Sequence, residues 1–443
     1  MDELRGNWLR IPRFWGPEPS TWLATETMED IFMDSRIGKN TAATAAKPLH
    51  KALLRWIGRI LAGISLLFSI ILLLLGVFIP SLPFLGVIGT LLESFFSLHL
   101  VIAGLICGLL AYVGLRLGGK RVAIVGLSLA LINVIGFCIP LAALIYTAGV
   151  YDTNISWSQH LAGGFSTGSA DVSKSVQFTT TPDGKALYVD ISKPNNFNSQ
   201  EALTPVVLIH GGGFTGGTRN EEPAWTQFYN DRGYVVFDVD YRLATATYHT
   251  WDKAAPDIAT AIVWIGNHAA DYHVDMSKLI IAGASAGGGL ALQVAYGIQD
   301  GTLKAYEPGL LAQAKAVVAI FPAQDMTAIW NSTTSFLGID NHQVGEEYIG
   351  GSPQAYPQAY ATVDVSHHIT RHSPPTIVIA GQHDHVIPYE SQVQFVDDLT
   401  KMGVPHEFIS IPFNDHFFVF RPGGISGQIA FQGVGQFLDT YAK

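Results

Sequence analysis

Three runs without a charged residue dominate the first third of the chain: Ile60–Ile79, Leu98–Leu115 and Val122–Ala148. A helix needs about 20 apolar residues to cross the hydrocarbon core of a bilayer, and each run is long enough. His99 lies near the start of the second run and Pro140 late in the third. Between the first two runs stand Pro80, Pro83 and Glu93. They leave the apolar piece Leu82–Leu92 too short to count as a span, so three crossings are expected, with four as the alternative. Glu93 and His99 are read as interfacial residues beside a Pro-containing turn, against the alternative of an intramembrane proton or ion site.

Composition agrees with a membrane region: 48% of the 443 residues are hydrophobic and only 14% are charged. The charge is unevenly placed, with 12 Lys and Arg against 8 Asp and Glu up to residue 150, and 14 against 28 beyond it. An acidic C-terminal part without a Lys/Arg cluster excludes nucleic acid as a partner. The two cysteines, Cys107 and Cys138, both fall in apolar runs, so the C-terminal part has neither a disulfide framework nor a cysteine metal site. Residues 1–50 mix charges, prolines and the aromatics Trp8, Phe14, Trp15 and Trp22 without a period, and read as a poorly ordered tail. That long mixed start differs from a cleaved signal peptide, so the first apolar run is expected to remain as an anchor.

After Tyr151 the chain changes to short apolar runs, turn residues and amphipathic stretches, the alternation of an α/β domain with a mostly parallel sheet and helices on both faces. Strands are expected at Pro205–Ile209, Val235–Val239, Lys278–Ala282, Ala316–Phe321, Thr376–Ala380 and Glu407–Ile411. An antiparallel hairpin is expected over 175–193 around Pro182-Asp183-Gly184, and helices include Pro256–His268 and Tyr389–Met402.

Two motifs carry chemistry. The strand Lys278–Ala282 runs through Gly283-Ala284-Ser285-Ala286-Gly287-Gly288 into an apolar helix, the context a nucleophile elbow requires. The turn is too tight for side chains two positions either side of the serine, hence Gly283 and Gly287. Upstream, the strand ending at Ile209 leads into His210-Gly211-Gly212-Gly213-Phe214, where glycines bring backbone N–H groups close to a substrate oxygen that gains charge in acyl transfer. A phosphate cradle is disfavoured, because neither G-x-x-x-x-G-K-[ST] nor G-x-G-x-x-G occurs there.

On these motifs, and on Asp240-Tyr241-Arg242-Leu243-Ala244, Gly350-Gly351-Ser352-Pro353 and Gly381-Gln382-His383-Asp384-His385-Val386-Ile387-Pro388, residues from about 170 to 443 resemble the α/β-hydrolase superfamily, and within it the hormone-sensitive-lipase-like serine esterases. The resemblance does not cover the first 150 residues. Two departures weaken any subfamily assignment: Ala284 where many relatives carry Asp, and Thr245-Ala246 where they carry Pro-Glu.

In that family the triad follows the chain order Ser, acid, His, which implies Ser285, Asp384 and His416. Asp384 and His416 each follow an expected strand, placing all three at one sheet edge. The oxyanion donors implied are the backbone N–H groups of Gly211, Gly212 and Ala286. His383 and His385 flank Asp384 too closely to reach Ser285 and are read as pocket or surface residues. His367, His368 and His372 have few carboxylates near them and no H-E-x-x-H, so no metal is expected, nor any cofactor. The long connection 326–372 reads as a lid-like insertion, with Trp330, Phe336 and Tyr348 as acyl-pocket walls.

The expected organisation is a cytoplasmic tail over 1–50, a membrane region over 51–150 and an α/β-hydrolase domain over 165–443. The expected activity is hydrolysis of a small-molecule or lipid-like carboxylic ester through an acyl-enzyme on Ser285. Peptidase, amidase or acyltransferase chemistry on the same fold, a catalytically idle tethered module and a transporter are the alternatives. Basic residues before the first span (Lys47, Lys51, Arg55, Arg59) and between the second and third (Arg116, Lys120, Arg121) place those segments in the cytoplasm. With three spans, the hydrolase domain then lies outside it, on a tether of roughly 20 residues after Ala148 if the spans end there.

Overall fold

The sequence pattern resolves into a helical N-terminal part and an eight-stranded sheet in the computed structural model, which describes residues 37–76, 85–166, 171–194, 202–333 and 338–442. The aromatics Trp8, Phe14, Trp15 and Trp22, and Phe336, lie outside the described residues. Three helices open the chain: α1 (Ile37–Leu75), α2 (Leu85–Arg116) and α3 (Lys120–Val150). Within them Leu49–Leu75, Gly86–Arg116 and Lys120–Val150 are long and apolar enough to cross a membrane. Helix α1 therefore begins inside the stretch expected as a tail. The piece Leu82–Leu92 is no separate element either: from Leu85 onward it is the start of α2.

Helix α2 is bent at Phe96, whose φ −130° and ψ 24° break the helical ladder. A kink needs an identifiable cause, and here a side chain enters the ladder. The Arg421 guanidinium donates to the freed Phe95 carbonyl and stands 4.9 Å from the Phe96 ring centroid. Before the kink Thr90, Glu93 and Ser94 are buried, as is Ser97 just after it. Glu93 is enclosed by protein, and His99 Nε2 lies 3.0 Å from the Leu161 carbonyl.

The sheet has the order β1-β2-β4-β3-β5-β6-β7-β8. Its strands are β1 (Lys174–Thr180), β2 (Ala186–Ser192), β3 (Pro205–Ile209), β4 (Val235–Val239), β5 (Ile280–Ala284), β6 (Ala316–Ile320), β7 (Thr376–Gly381) and β8 (His406–Ile411). β1 and β2 form the antiparallel entry hairpin, β2 pairs antiparallel with β4, and every later pairing is parallel. Parallel strands covered on both faces must be apolar throughout. All five residues of β3 are accordingly buried, with Val207 and Ile209 in one core cluster and Val206 and Leu208 in the other.

Between the strands run α5 (Pro223–Asp231), α6 (Ala254–Asn267), the short α7 (Ala269–Tyr272) and α8 (Ala286–Asp300). The connection after β6 holds α9 (Met326–Asn331), α10 (Asn341–Ile349) and α11 (Pro357–Val363), so it is a small helical layer. Helices α12 (Tyr389–Met402) and α13 (Ile425–Tyr441) complete the chain.

The link from α3 to the sheet is not a free tether. It contains α4 (Trp157–Ala162), and its polar groups bond directly to the sheet and to α13. Tyr151 Oη donates to the Phe408 carbonyl in β8, while the N–H groups of Asn154 and Ser156 donate to the side chains of Gln432 and Gln428. Leu141, Leu144 and Ala148 of α3 share one apolar cluster with Ile429, Val434 and Phe437 of α13.

Candidate active site

Gly283 and Gly287 explain the turn at Ser285. A Cβ on Gly283 would lie 2.4 Å from the Gly287 carbonyl oxygen, and one on Gly287 would lie 2.0 Å from the Ile209 carbonyl oxygen. Both clashes are with backbone, which has nowhere to move inside a buried sheet. Gly287→Ala should therefore cost about 3 kcal/mol of stability, the upper end for overpacking. Thermal unfolding measures it, and an unchanged midpoint would contradict the packing described.

Ser285 itself sits at φ 57° and ψ −124°, a sparsely populated region held in place by its surroundings. Its N–H donates to the Ile320 carbonyl, and its own carbonyl accepts from the N–H groups of Gly289 and Ala323. The strained backbone aims the side chain off the end of β5, as a nucleophile elbow requires. Strand β5 continues two residues past the expected end and so runs directly into the serine.

Ser285, Asp384 and His416, expected from the motifs, stand in one hydrogen-bonded line. His416 Nε2 is 2.8 Å from Ser285 Oγ, and His416 Nδ1 is 2.8 Å from Asp384 Oδ2. The other carboxylate oxygen of Asp384 accepts from the N–H groups of Val386 and Ile387, both at 2.8 Å. The imidazole is only 1% exposed and packs on Phe321, ring centroids 4.3 Å apart. Asp384 orients the ring, the ring faces the serine hydroxyl, and proton transfer from Oγ to Nε2 needs no movement of heavy atoms beyond a hydrogen bond.

His383 and His385 do not reach the serine. His383 stacks on Phe413, and burial lowers its pKa. His385 is neither a pocket nor a surface residue: it is buried, with Nδ1 2.6 Å from Asp415 Oδ2. Burial opposes its protonation, but the Asp415 carboxylate outweighs this and raises the imidazole pKa. The dipeptides Asp384-His385 and Asp415-His416 thus pair crosswise, the acid of each with the histidine of the other. Of the remaining histidines, His368 pairs with Asp300 at 2.8 Å and His367 Nδ1 lies 2.9 Å from the Ala361 carbonyl.

The glycine loop borders the serine from the other side. Gly211 is close enough that a Cβ there would lie 3.5 Å from Ser285 Cβ. Gly212 and Gly213 have φ of 109° and 60°, which other residues adopt only under strain. Tyr241 of the D-Y-R stretch supports this loop, stacking on His210 at 4.5 Å and donating from its hydroxyl to the His210 carbonyl. The sequence reading did not include Glu222, which lies beside the loop and lines the cavity. Burial pushes its carboxyl up to about 7, and the neighbouring Glu221 adds to that.

A cavity of about 360 Å³ opens over the serine and the histidine. Its walls are mostly apolar and include Phe214, Ile339, Val344, Ile387, Phe417 and Phe420. Trp330 and Tyr348 are not among its lining residues. Tyr348 stacks behind Phe214 at 3.9 Å, and Trp330 packs on His342 and Tyr360. The neighbouring residues Ile329, Val344 and Glu347 form the wall instead.

Residues 189–399 match the family model described as BD-FAE. The chain is 24% identical over 266 residues to "Probable carboxylic ester hydrolase LipM" of Mycobacterium tuberculosis, covering 58% of this chain and 59% of that one. It is 26% identical over 265 residues to "Esterase LipC" of the same organism, covering 58% and 63%. The chain thus spans about three-fifths of the length of these curated relatives. The apo form of Thermogutta terrifontis esterase 2 superposes with a TM-score of 0.50 at 24% identity, covering 60% of this chain and 93% of that structure. Strand order, the strained turn after β5 and the likeness to that esterase structure give the C-terminal part of the chain the α/β-hydrolase fold.

Proposed function

We propose that the chain is a membrane-anchored serine hydrolase that cleaves carboxylic esters. The observation that carries this reading is the unbroken line from Ser285 Oγ through His416 to Asp384 at the floor of an apolar cavity. Ser285 Oγ attacks the ester carbonyl carbon while its proton passes to His416 Nε2. The carbonyl oxygen becomes an oxyanion, which the N–H groups of Gly211, Gly212 and Ala286 receive. Collapse expels the alcohol, protonated by His416, and leaves an acyl group on Ser285. Water then attacks the acyl carbon with His416 as base, releasing the acid and restoring the serine.

A fluorophosphonate probe followed by peptide mapping tests the assignment. Labelling at Ser285 alone is expected; labelling elsewhere, or none, contradicts it. Paired aryl esters and aryl amides separate esterase from amidase chemistry, and the ester is expected to turn over faster.

The apolar walls favour an apolar acyl group, and a lipid-like ester fits what lies at the cavity mouth. Phe420, 43% exposed, lines the cavity, and its carbonyl accepts from the Ser166 N–H. The adjacent Phe165 packs edge-on against Phe95 of α2 at 4.9 Å. An aromatic path therefore connects the cavity to the bend of a helix read as membrane-spanning. Rates on aryl esters should rise with acyl length before they fall.

The basic ends of the helices support an extracytoplasmic hydrolase domain. A Cβ on Gly58 would touch Leu117, so Arg59 lies at the same bundle end as Arg116, Lys120 and Arg121. The sheet domain meets the opposite ends of α2 and α3, through Thr90 and Tyr151. By the positive-inside rule the basic end faces the cytoplasm and the hydrolase domain faces away from it. A C-terminal reporter active only outside the cytoplasm should give signal after Lys443. Signal from a cytoplasmic reporter at that site instead reverses the orientation.

A further inference from the structure

Helix α2 does more than pass beside the sheet domain, because its first turns touch the segment that carries His416. Thr90 and Ser94 are one helical turn apart on the same face, and both are buried. Thr90 Oγ1 lies 2.6 Å from Asp415 Oδ2, and the Asp415 N–H donates to Ser94 Oγ at 3.1 Å. One residue of the β8–α13 loop is thus held at its carboxylate and at its amide by a single helix face.

Asp415 passes that constraint to the catalytic pair. Its Oδ1 accepts from the N–H groups of His416, at 2.8 Å, and His385, at 3.0 Å. Its Oδ2 lies 2.6 Å from His385 Nδ1. The carboxylate is fully buried, so leaving any of these donors or acceptors unpaired is costly, and the arrangement is rigid only when every partner is present. His385 and His416 alternate with Asp384 and Asp415 across two adjacent loops. Displacing Asp415 moves the backbone of His416 directly, and through His385 it moves the neighbour of Asp384. The proper distance from His416 Nε2 to Ser285 Oγ depends on that backbone.

We propose that the first half of α2 is a positioning element of the active site: Thr90 and Ser94 fix Asp415, and Asp415 fixes the main chain of His416. The inference rests on the assignment of Ser285 and His416 to catalysis made above. It makes the membrane region part of the enzyme's working structure rather than an interchangeable anchor. Neither Thr90 nor Ser94 lines the cavity. Their removal therefore alters the placement of the base, not the affinity of the pocket.

The test uses the full-length protein in detergent, with Thr90→Val, Ser94→Ala, the double variant and Thr90→Ser. Valine keeps the shape of threonine and removes the hydroxyl, whereas serine restores it. The double variant should lose about tenfold or more in kcat, the scale expected for removing hydrogen bonds to a buried charged group, with KM changed by less than about twofold. Thr90→Ser should recover most of the loss seen in Thr90→Val. The rate of fluorophosphonate labelling at Ser285 should fall in parallel with kcat, since it also needs the base in place. Unchanged kcat in the double variant overturns the proposal. So does a loss that Thr90→Ser fails to restore, or one that appears wholly in KM. If the double variant is not recovered folded, the comparison of Thr90→Val with Thr90→Ser decides alone. A Ser285→Ala control separates the two levels: if it keeps turnover, the hydrolase assignment fails. If it is inactive while the helix variants are normal, only the positioning role fails.

Discussion

Ser285→Ala should abolish ester turnover, by about 10⁵- to 10⁶-fold in kcat, while leaving the protein folded. The size of the loss follows from the proposed chemistry: without Oγ no acyl-enzyme forms, and only the proposed oxyanion donors and the cavity remain to assist attack by water. The intact fold follows from the geometry. Ser285 is held by its main chain, through bonds to Ile320, Gly289 and Ala323 that an alanine keeps. Its φ of 57° strains alanine no more than serine, since both carry a single Cβ. Among the described residues, the hydroxyl's hydrogen-bond partner is His416. His416→Ala should cost a comparable factor, because the members of a triad act as a unit and removing one strands the others. Initial rates on a short aryl ester, beside thermal unfolding in the same detergent, measure both. A Ser285→Ala variant that keeps most of its turnover with an unshifted midpoint would remove Ser285 from the mechanism.

Much of the sheet was legible because its strands carry strong local signals. β3 and β4 are five-residue apolar runs bounded by turn residues, and they were read to the residue. β5 was read two residues early. Met276–Lys278 instead form a turn capped by Asp275, and small residues then carry the strand up to the serine. The three residues of the proposed triad were readable for a similar reason: each follows a strand, and a parallel sheet brings the C-terminal ends of its strands to one edge.

Helix phase was harder to read. Tyr348 and Trp330 each stand one position from a cavity residue, and one position on a helix turns the side chain by about 100°. Composition cannot tell which neighbour faces inward. The crossed pairing of Asp384-His385 with Asp415-His416 was illegible for another reason, since it depends on how two loops from different strands approach one another. From sequence, the piece Leu82–Leu92 that opens into α2 reads as apolar and too short to span. Its length was judged against a bilayer, but its partner is protein, and the sign of this was the pair of hydroxyls at 90 and 94 spaced by one turn.

Asp384→Asn should cost about 10⁴-fold in kcat although it changes almost no volume, because it acts through the tautomer of His416. One carboxylate oxygen of Asp384 accepts from the N–H groups of Val386 and Ile387, and the other faces His416 Nδ1. An asparagine must keep its oxygen toward the two backbone donors, since turning its NH₂ to them would set donors against donors at 2.8 Å. The NH₂ then faces Nδ1, and Nδ1 must give up its hydrogen and accept. The ring's proton moves to Nε2, which now donates to Ser285 Oγ and has no lone pair to take the serine proton. The imidazole stays where Phe321 and the main chain of the loop hold it, so binding changes little and KM should hold within a few-fold. This outcome distinguishes a tautomer effect from loss of structure, and it separates Asp384 from Asp415. Asp415 bonds to the main chain of His416 and not to its ring, so its replacement disturbs position rather than protonation. The measurement is kcat and KM for Asp384→Asn beside its thermal midpoint. A loss below about tenfold, with the midpoint unchanged, would mean that the ring keeps its working tautomer without Asp384, and the acid of the mechanism would have to be sought elsewhere.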